Sequence, residues 1–178
     1  MRQQPSLSIA TVNLYMLPWP LHFGSQAMTR AKHIPRELTT HDIVVVQELF
    51  DYRCRKQFIQ SMQQLGFPYH QTTEHPCCSG IHSGVAIFSQ HPIHHSEQHT
   101  FDFAINIDRI CNKSALYAHI VKDKTPIHLI ATHLQSQYHP QSSDIEVTQA
   151  QLVELDHFVA QCQIPSHETC FIVGDMNI

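Results

Sequence analysis

Four apolar runs in this sequence end in residues able to hold a cation, bind phosphate or move a proton. Residues 8–12 lead into Asn13, 42–46 into Gln47 and Glu48, 128–132 into His133, and 171–174 into Asp175 and, two residues on, Asn177. A strand has to end in something polar, so Asn13 taken alone is a turn residue and His133 alone a satisfied, partly buried imidazole. Glu48 resists that reading, because a carboxylate that follows a continuous apolar run lies near the core and needs a partner. Together the four ends suggest groups converging at one edge of a sheet, where α/β proteins place ligand sites. The residue types then name a chemistry. Glu48, Asp175 and the two asparagine amides are hard oxygen donors, suited to Mg²⁺ or Mn²⁺ and poorly suited to zinc. His133 adds a hydrogen-bond donor for an anionic oxygen. A hard divalent ion beside a histidine is equipment for hydrolysing a phosphate ester, where charge develops on phosphoryl oxygens and on the leaving alkoxide.

The elements that must position these groups are legible as alternating strands and helices. Strands are expected at 7–13, 43–47, 84–89, 115–121, 127–133 and 170–174. A helix over 52–65 places Cys54, Phe58, Met62 and Leu65 on one face. A second over 144–161 would bury Ile145, Leu152, Leu155 and Val159. It opens on Ser143 and Glu146, the spacing at which a serine and a glutamate satisfy orphan amides of a first turn. A weaker helix is expected over 28–40, despite Pro35. The fold class is α/β.

Composition narrows the partners. At 178 residues, with 42% apolar and 15% charged, the chain is long enough for one domain with a proper core and is neither disordered nor coiled coil. The net charge of −4, with no block of Lys or Arg, argues against a nucleic-acid substrate, which calls for a basic stripe. No apolar run approaches the ~20 residues of a membrane span, and the first residues lack the apolar stretch of a signal peptide. The expected location is cytoplasmic or at a membrane periphery, with secretion of a trimmed mature chain the alternative. The six cysteines show no CxxC pair and read as reduced thiols, with the adjacent Cys77 and Cys78 incidental. Histidine is over-represented, at 16, and clusters only in 91–99. The expected reading is a solvated surface tract, whose protonation would reverse the net charge and strengthen binding to anionic surfaces near pH 5.

The short motifs, in order, resemble those of the endonuclease/exonuclease/phosphatase superfamily: ATVN at 10–13, DIVVVQELF at 42–50, SGVAIFSQHPI at 83–93, ATHLQSQY at 131–138 and FIVGDMN at 171–177. Within it, THLQSQY and the stretch 107–120 resemble neutral sphingomyelinases, which carry there an Asp and a Lys five apart, here Asp108 and Lys113. The family usually has glycine after that lysine, where this chain has Ser114. It usually has arginine three residues before Gln151, where this chain has Thr148.

The resemblance implies a four-layer α/β/β/α sandwich of two packed mixed sheets, spanned by residues 1–178 as its N-terminal part. It implies Glu48 as principal Mg²⁺ ligand, with Asn13 supporting the metal or its water. His133 would donate to a non-bridging phosphate oxygen, Asp175 would orient the attacking water, and Asn177 would hold phosphate or nucleophile. Asp108 and Lys113 would help assemble the site. The implied reaction releases phosphocholine and ceramide from sphingomyelin at a membrane surface. In the family the GD-x-N motif lies mid-chain and is followed by a Ser-Asp-His segment carrying the general base; no Ser-Asp-His occurs in these 178 residues. The chain is therefore expected to be an N-terminal portion, weak or inactive alone. A non-catalytic remnant that binds metal, phospholipid headgroups or a complementing chain is the alternative, and a nuclease or phosphoinositide phosphatase of the same superfamily a further one.

Overall fold

A computed structural model describes residues 6–18, 21, 26–74, 81–137 and 142–178; Cys77, Cys78 and Tyr138 lie outside them. The order is β1 (Ile9–Met16), α1 (Ala27–Glu37), β2 (Ile43–Leu49), α2 (Tyr52–Gln64), β3 (Tyr69–Thr72), β4 (Ala86–Ser89), β5 (Ile93–Thr100), a 3₁₀ turn (Asn106–Ile110), β6 (Ser114–Lys122), β7 (Thr125–His133), α3 (Ser142–Gln161) and β8 (Thr169–Asp175). The strands form two four-stranded mixed sheets, ordered β1-β2-β4-β3 and β5-β6-β7-β8. β1 runs parallel to β2 and β7 parallel to β8; the other pairings are antiparallel.

The apolar runs are continuous because their strands are covered on both faces. Along β2, Val44 and Val46 point to a core shared with Ala31, Cys54, Phe58 and Met62 of α1 and α2. Ile43 and Val45 point the other way, onto Leu116, Ala118, Leu129 and Ala131 of the second sheet. On that sheet's far face Tyr117 and Ile130 meet Leu155 and Phe158 of α3. The layers run helix, sheet, sheet, helix, as the resemblance implied. Each fully buried Ile, Leu or Phe contributes roughly 1.5–3 kcal/mol to holding them together. Asp51 caps α2, its carboxylate accepting the N–H groups of Arg53 and Cys54 at 2.9 Å.

Several expectations need correction. Strands β3 and β5 were not expected; both are polar edge strands that lack an apolar alternation. Ser143 lies inside α3, which begins at Ser142, so it is not the cap. Of the face proposed for that helix, Leu155 is buried but Ile145 and Leu152 are exposed. The buried face is instead Asp144, Thr148, Gln151, Leu155 and Phe158, spaced four, three, four and three, and its first half is polar. Nor are the histidines uniformly solvated, since His128 and His133 are buried. Cys54, Cys111, Cys162 and Cys170 are free thiols, as expected.

Candidate functional site

Parallel pairing brings the four strand ends to one edge. Asn13 lies in register with Gln47 on one sheet, and His133 with Asp175 on the other. Just past Asn13 the β1–β2 register shifts, and Tyr15 and Glu48 take left-handed backbone conformations, with φ of 50° and 57°. Such values are uncommon for residues with a Cβ and concentrate at functional sites. Here they turn Glu48 towards Asn13. The Asn13 amide donates through Nδ2 to Glu48 Oε1 at 2.7 Å and to Asp175 Oδ2 at 3.1 Å, while its Oδ1 accepts the Tyr15 N–H at 3.0 Å. One amide therefore spans carboxylates from both sheets. Beside it opens a shallow cleft of about 400 Å³ lined by Thr11, Asn13, Gln47, Gly174, Asp175 and Asn177.

His133 is 3% exposed. Its Nε2 stands 3.9 Å from Asp175 Oδ2, beyond hydrogen-bond reach, and its Nδ1 is buried without a partner. Burial, reinforced by the positive charge of Lys113 and opposed by Asp175, holds the imidazole well below its ordinary pKa, so the ring is neutral near pH 7. A neutral imidazole with its proton on Nε2 is a donor waiting for an anionic acceptor.

The peptide of Leu134, next along the chain, is a junction. Its N–H donates to the Asp175 carbonyl at 3.0 Å. Its carbonyl accepts Lys113 Nζ at 2.9 Å and Asn177 Nδ2 at 3.0 Å. Lys113 in turn lies 3.5 Å from Asp108 Oδ1, and Asp108 Oδ2 accepts the Ser136 N–H at 2.7 Å. The side chains of this pair are 1% and 6% exposed, so it is not the exposed ion pair that would contribute little. Asn177, through Leu134 and through its own N–H to Asp175 Oδ1 at 3.3 Å, braces the β8 end.

Two residues that pattern reading left out of the site complete it. Gln135 accepts the Ile105 N–H at 3.1 Å, and its backbone N–H donates to Gln151 Oε1 at 2.8 Å. Gln151 Nε2 donates to the Phe103 carbonyl at 2.6 Å. Both glutamines are fully buried. They tie the segment carrying Asp108 and Lys113 to the loop after His133. The available signal was position: Gln151 shares a helical face with Leu155 and Phe158.

Glu48 and Asp175 are two carboxylates brought together by one neutral amide, a concentration of negative charge that a hard cation offsets. Mg²⁺ is commonly held by one or two carboxylates with water and substrate oxygens in the remaining positions, so the donor set fits that ion. Among the described residues no group of three His, Cys, Asp or Glu side chains is placed to hold a metal by itself.

The model of the endonuclease/exonuclease/phosphatase family matches residues 10–178. The chain belongs to that family. It is 29% identical to Sphingomyelinase C of Listeria ivanovii, with 97% of the chain aligned to 56% of that protein, and 28% identical to a Phospholipase C of Staphylococcus aureus, with 99% aligned to 58%. It thus spans somewhat over half the length of these curated relatives. Among solved structures, beta toxin from Staphylococcus aureus (an F277A, P278A mutant with bound magnesium ions) superposes with a TM-score of 0.90 at 27% identity, covering 98% of this chain and 66% of that one. Two parallel strand pairs, one in each sheet, bring Asn13 and Asp175 to one cleft.

Proposed function

We propose that this chain supplies the metal- and phosphate-binding part of a Mg²⁺-dependent phosphodiester hydrolase of the phospholipase C type, acting on sphingomyelin at a membrane surface. The observation that carries the reading is the Asn13 amide joining Glu48 to Asp175, whose Oδ2 lies 3.9 Å from His133 Nε2. The names of the relatives support sphingomyelin over other phosphodiesters, and the negative net charge weighs against nucleic acid. Among the described residues no helix is long and apolar enough to cross a membrane.

Glu48 would hold the ion, with Asn13 fixing its carboxylate; Mn²⁺ would suit the same donors. When bound, the ion supplies positive charge to the phosphoryl oxygens. His133 Nε2–H donates to a non-bridging oxygen, and the buried setting strengthens that bond. Asp175, anchored through Asn13 and Asn177, orients the attacking water. The water oxygen forms a bond to phosphorus, the bond from phosphorus to the ceramide oxygen breaks, and the proton that the water gives up ends on that leaving oxygen. Lys113 and Asp108 hold the His133 loop in register with β8. The acceptor of the water's proton would come from a further part of the protein or from a complementing chain, since His133 faces the phosphate oxygens rather than the water.

The test is phosphocholine release from sphingomyelin vesicles by the protein isolated from its native source. Release should require Mg²⁺ and fall at least ~10²-fold in Glu48→Ala, the scale of losing one charge-stabilising group. Full Mg²⁺-dependent activity in that variant would remove the metal assignment, and faster turnover of abasic DNA or a phosphoinositide would remove the substrate.

A further inference from the structure

The tract 91–99 is absorbed by none of this chemistry, yet it is not loose surface. Most of it forms β5, an edge strand, and the sheet register extends it into a two-dimensional cluster. His95 faces His119, His119 faces His128, and His128 faces Cys170. Facing residues project to the same side of a sheet, so these four form one row across all four strands, on the side that carries Tyr117. A register shift between Ile93 and His95 adds His94, whose ring centre lies 6.0 Å from that of His119.

The rings are closely packed. His119 and His128 stack at 4.9 Å with planes 8° apart, and Tyr117 stacks on His128 at 5.9 Å. Tyr117 Oη lies 2.7 Å from His128 Nδ1, and Glu168 Oε2 lies 2.6 Å from His128 Nε2. Glu97 Oε1 lies 2.6 Å from His95 Nε2. His119 Nε2, by contrast, is buried without a partner. The other titratable groups about this strand are His167, 3.8 Å from Glu168, the thiols Cys162 and Cys170, His70 of β3, which lines one cleft with His94 and His95, and His99, whose Nε2 lies 3.2 Å from Glu154 of α3 and whose protonation would strengthen that tie. Two carboxylates therefore serve the cluster's four imidazoles. His95 and His128 each have one; His94 and His119 have none. Burial, followed by the neighbouring His128 and His94, holds His119 below its ordinary pKa. Stacked planes turn ring nitrogens away from a common point, so the row is not arranged as a metal site.

We propose that this cluster is an acid-operated latch on β5: the packed rings hold the edge strand against β6, and protonation of the rings that have no carboxylate partner drives it off. Below about pH 6.5 imidazoles begin to charge, and once the two carboxylates are matched, each further proton sits at ring-stacking distance from another cation. β5 is an edge strand whose one neighbour in its sheet is β6; its further ties are Gln98 to the Glu74 backbone and His99 to Glu154 of α3. Its release reaches the candidate site, because Thr100 pairs with Ser114 and the Phe101 N–H donates to the Lys113 carbonyl at 2.9 Å. The latch does not depend on the proposed activity.

Hydrogen exchange of the 178-residue chain, corrected for intrinsic rates, tests it at pH 7.5 and 5.5. Protection over 93–100 should fall about tenfold more than over 43–49, the signature of local rather than global opening. His119→Phe keeps the stack without the charge and should hold the loss over 93–100 to about twofold. Equal loss in both strands of the wild type overturns the latch, as does a variant that opens like the wild type. Should His119→Phe not fold, His94→Gln, at an exposed position, takes its place and should cut the acid opening about threefold; an unchanged opening overturns the proposal equally.

Discussion

Replacing Lys113 by methionine removes a charge from an ion pair whose side chains are 1% and 6% exposed. The Leu134 carbonyl keeps Asn177 Nδ2 as a donor, so no acceptor is orphaned. Asp108 is left charged and buried with the Ser136 N–H as the partner that remains. Breaking a buried pair in this way costs about 3–5 kcal/mol, and the preserved carbonyl bond favours the lower end, near 3. Asp108→Asn strands the Lys113 ammonium instead and should cost a similar ~3 kcal/mol. The double variant strands no charge. Burial already pushes the Lys113 ammonium below its ordinary pKa against the pull of Asp108, so the pair itself is expensive to bury. The double variant should therefore lose only about 1–2 kcal/mol, giving a coupling of about 4–5 kcal/mol where an exposed pair gives at most ~1. Urea unfolding followed by far-ultraviolet circular dichroism measures all four corners. Losses that add to within ~0.5 kcal/mol would refute the reasoning. A second readout belongs to the same perturbation: Lys113 helps hold His133 down, so Lys113→Met should raise the His133 pKa in an NMR titration. An unmoved titration would break the link between the two.

Two further expectations concern stability. At Gly174, with φ of 145°, an added Cβ would fall 1.9 Å from the Thr132 carbonyl oxygen; Gly174→Ala should lose at least ~2 kcal/mol in the same unfolding assay, and a loss under half that would mean β7 and β8 approach less closely. His133 titrates lower in the folded chain than in the unfolded one. As pH falls below about 6.5 the unfolded chain takes up a proton that the folded chain does not, so stability present at neutral pH drains away with acid. His133→Gln should flatten the fall in urea midpoint between pH 7.5 and 5.5, and a fall as steep as the wild type's would sink this assignment.

What could be read along the chain was what two-sided burial writes into it. Ile43-Val44-Val45-Val46 is apolar without a break because alternate residues enter different cores. Cys54, Phe58 and Met62 mark a helix because one face is covered. The edge strands carry no such mark. Tyr69–Thr72 and Ile93–Thr100 lie at sheet edges and carry polar residues without apolar alternation, while the backbone bonds that pair them look alike in every sequence. The helix α3 misled for a related reason. Its buried polar residues face a loop with backbone groups to satisfy, and periodicity that counts only apolar residues assigns that face to solvent.

The site divides along the same line. Asn13, Glu48, His133 and Asp175 were legible because parallel pairs end at the same edge, and a polar residue after a buried run has few other places to go. The Leu134 carbonyl was not legible, since a main-chain oxygen leaves no trace in residue type. Yet it is where Lys113, Asn177 and the strand bearing His133 meet. Gln135 and Gln151 act on the same peptide stretch from the other side, and being fully buried they cannot exchange those bonds for water without opening the core. The half of α3 nearest the site is thus polar because of what it holds. It carries amides where a helix that merely covered a sheet would carry leucine, and this spends core burial on fixing the loop between His133 and Asp108.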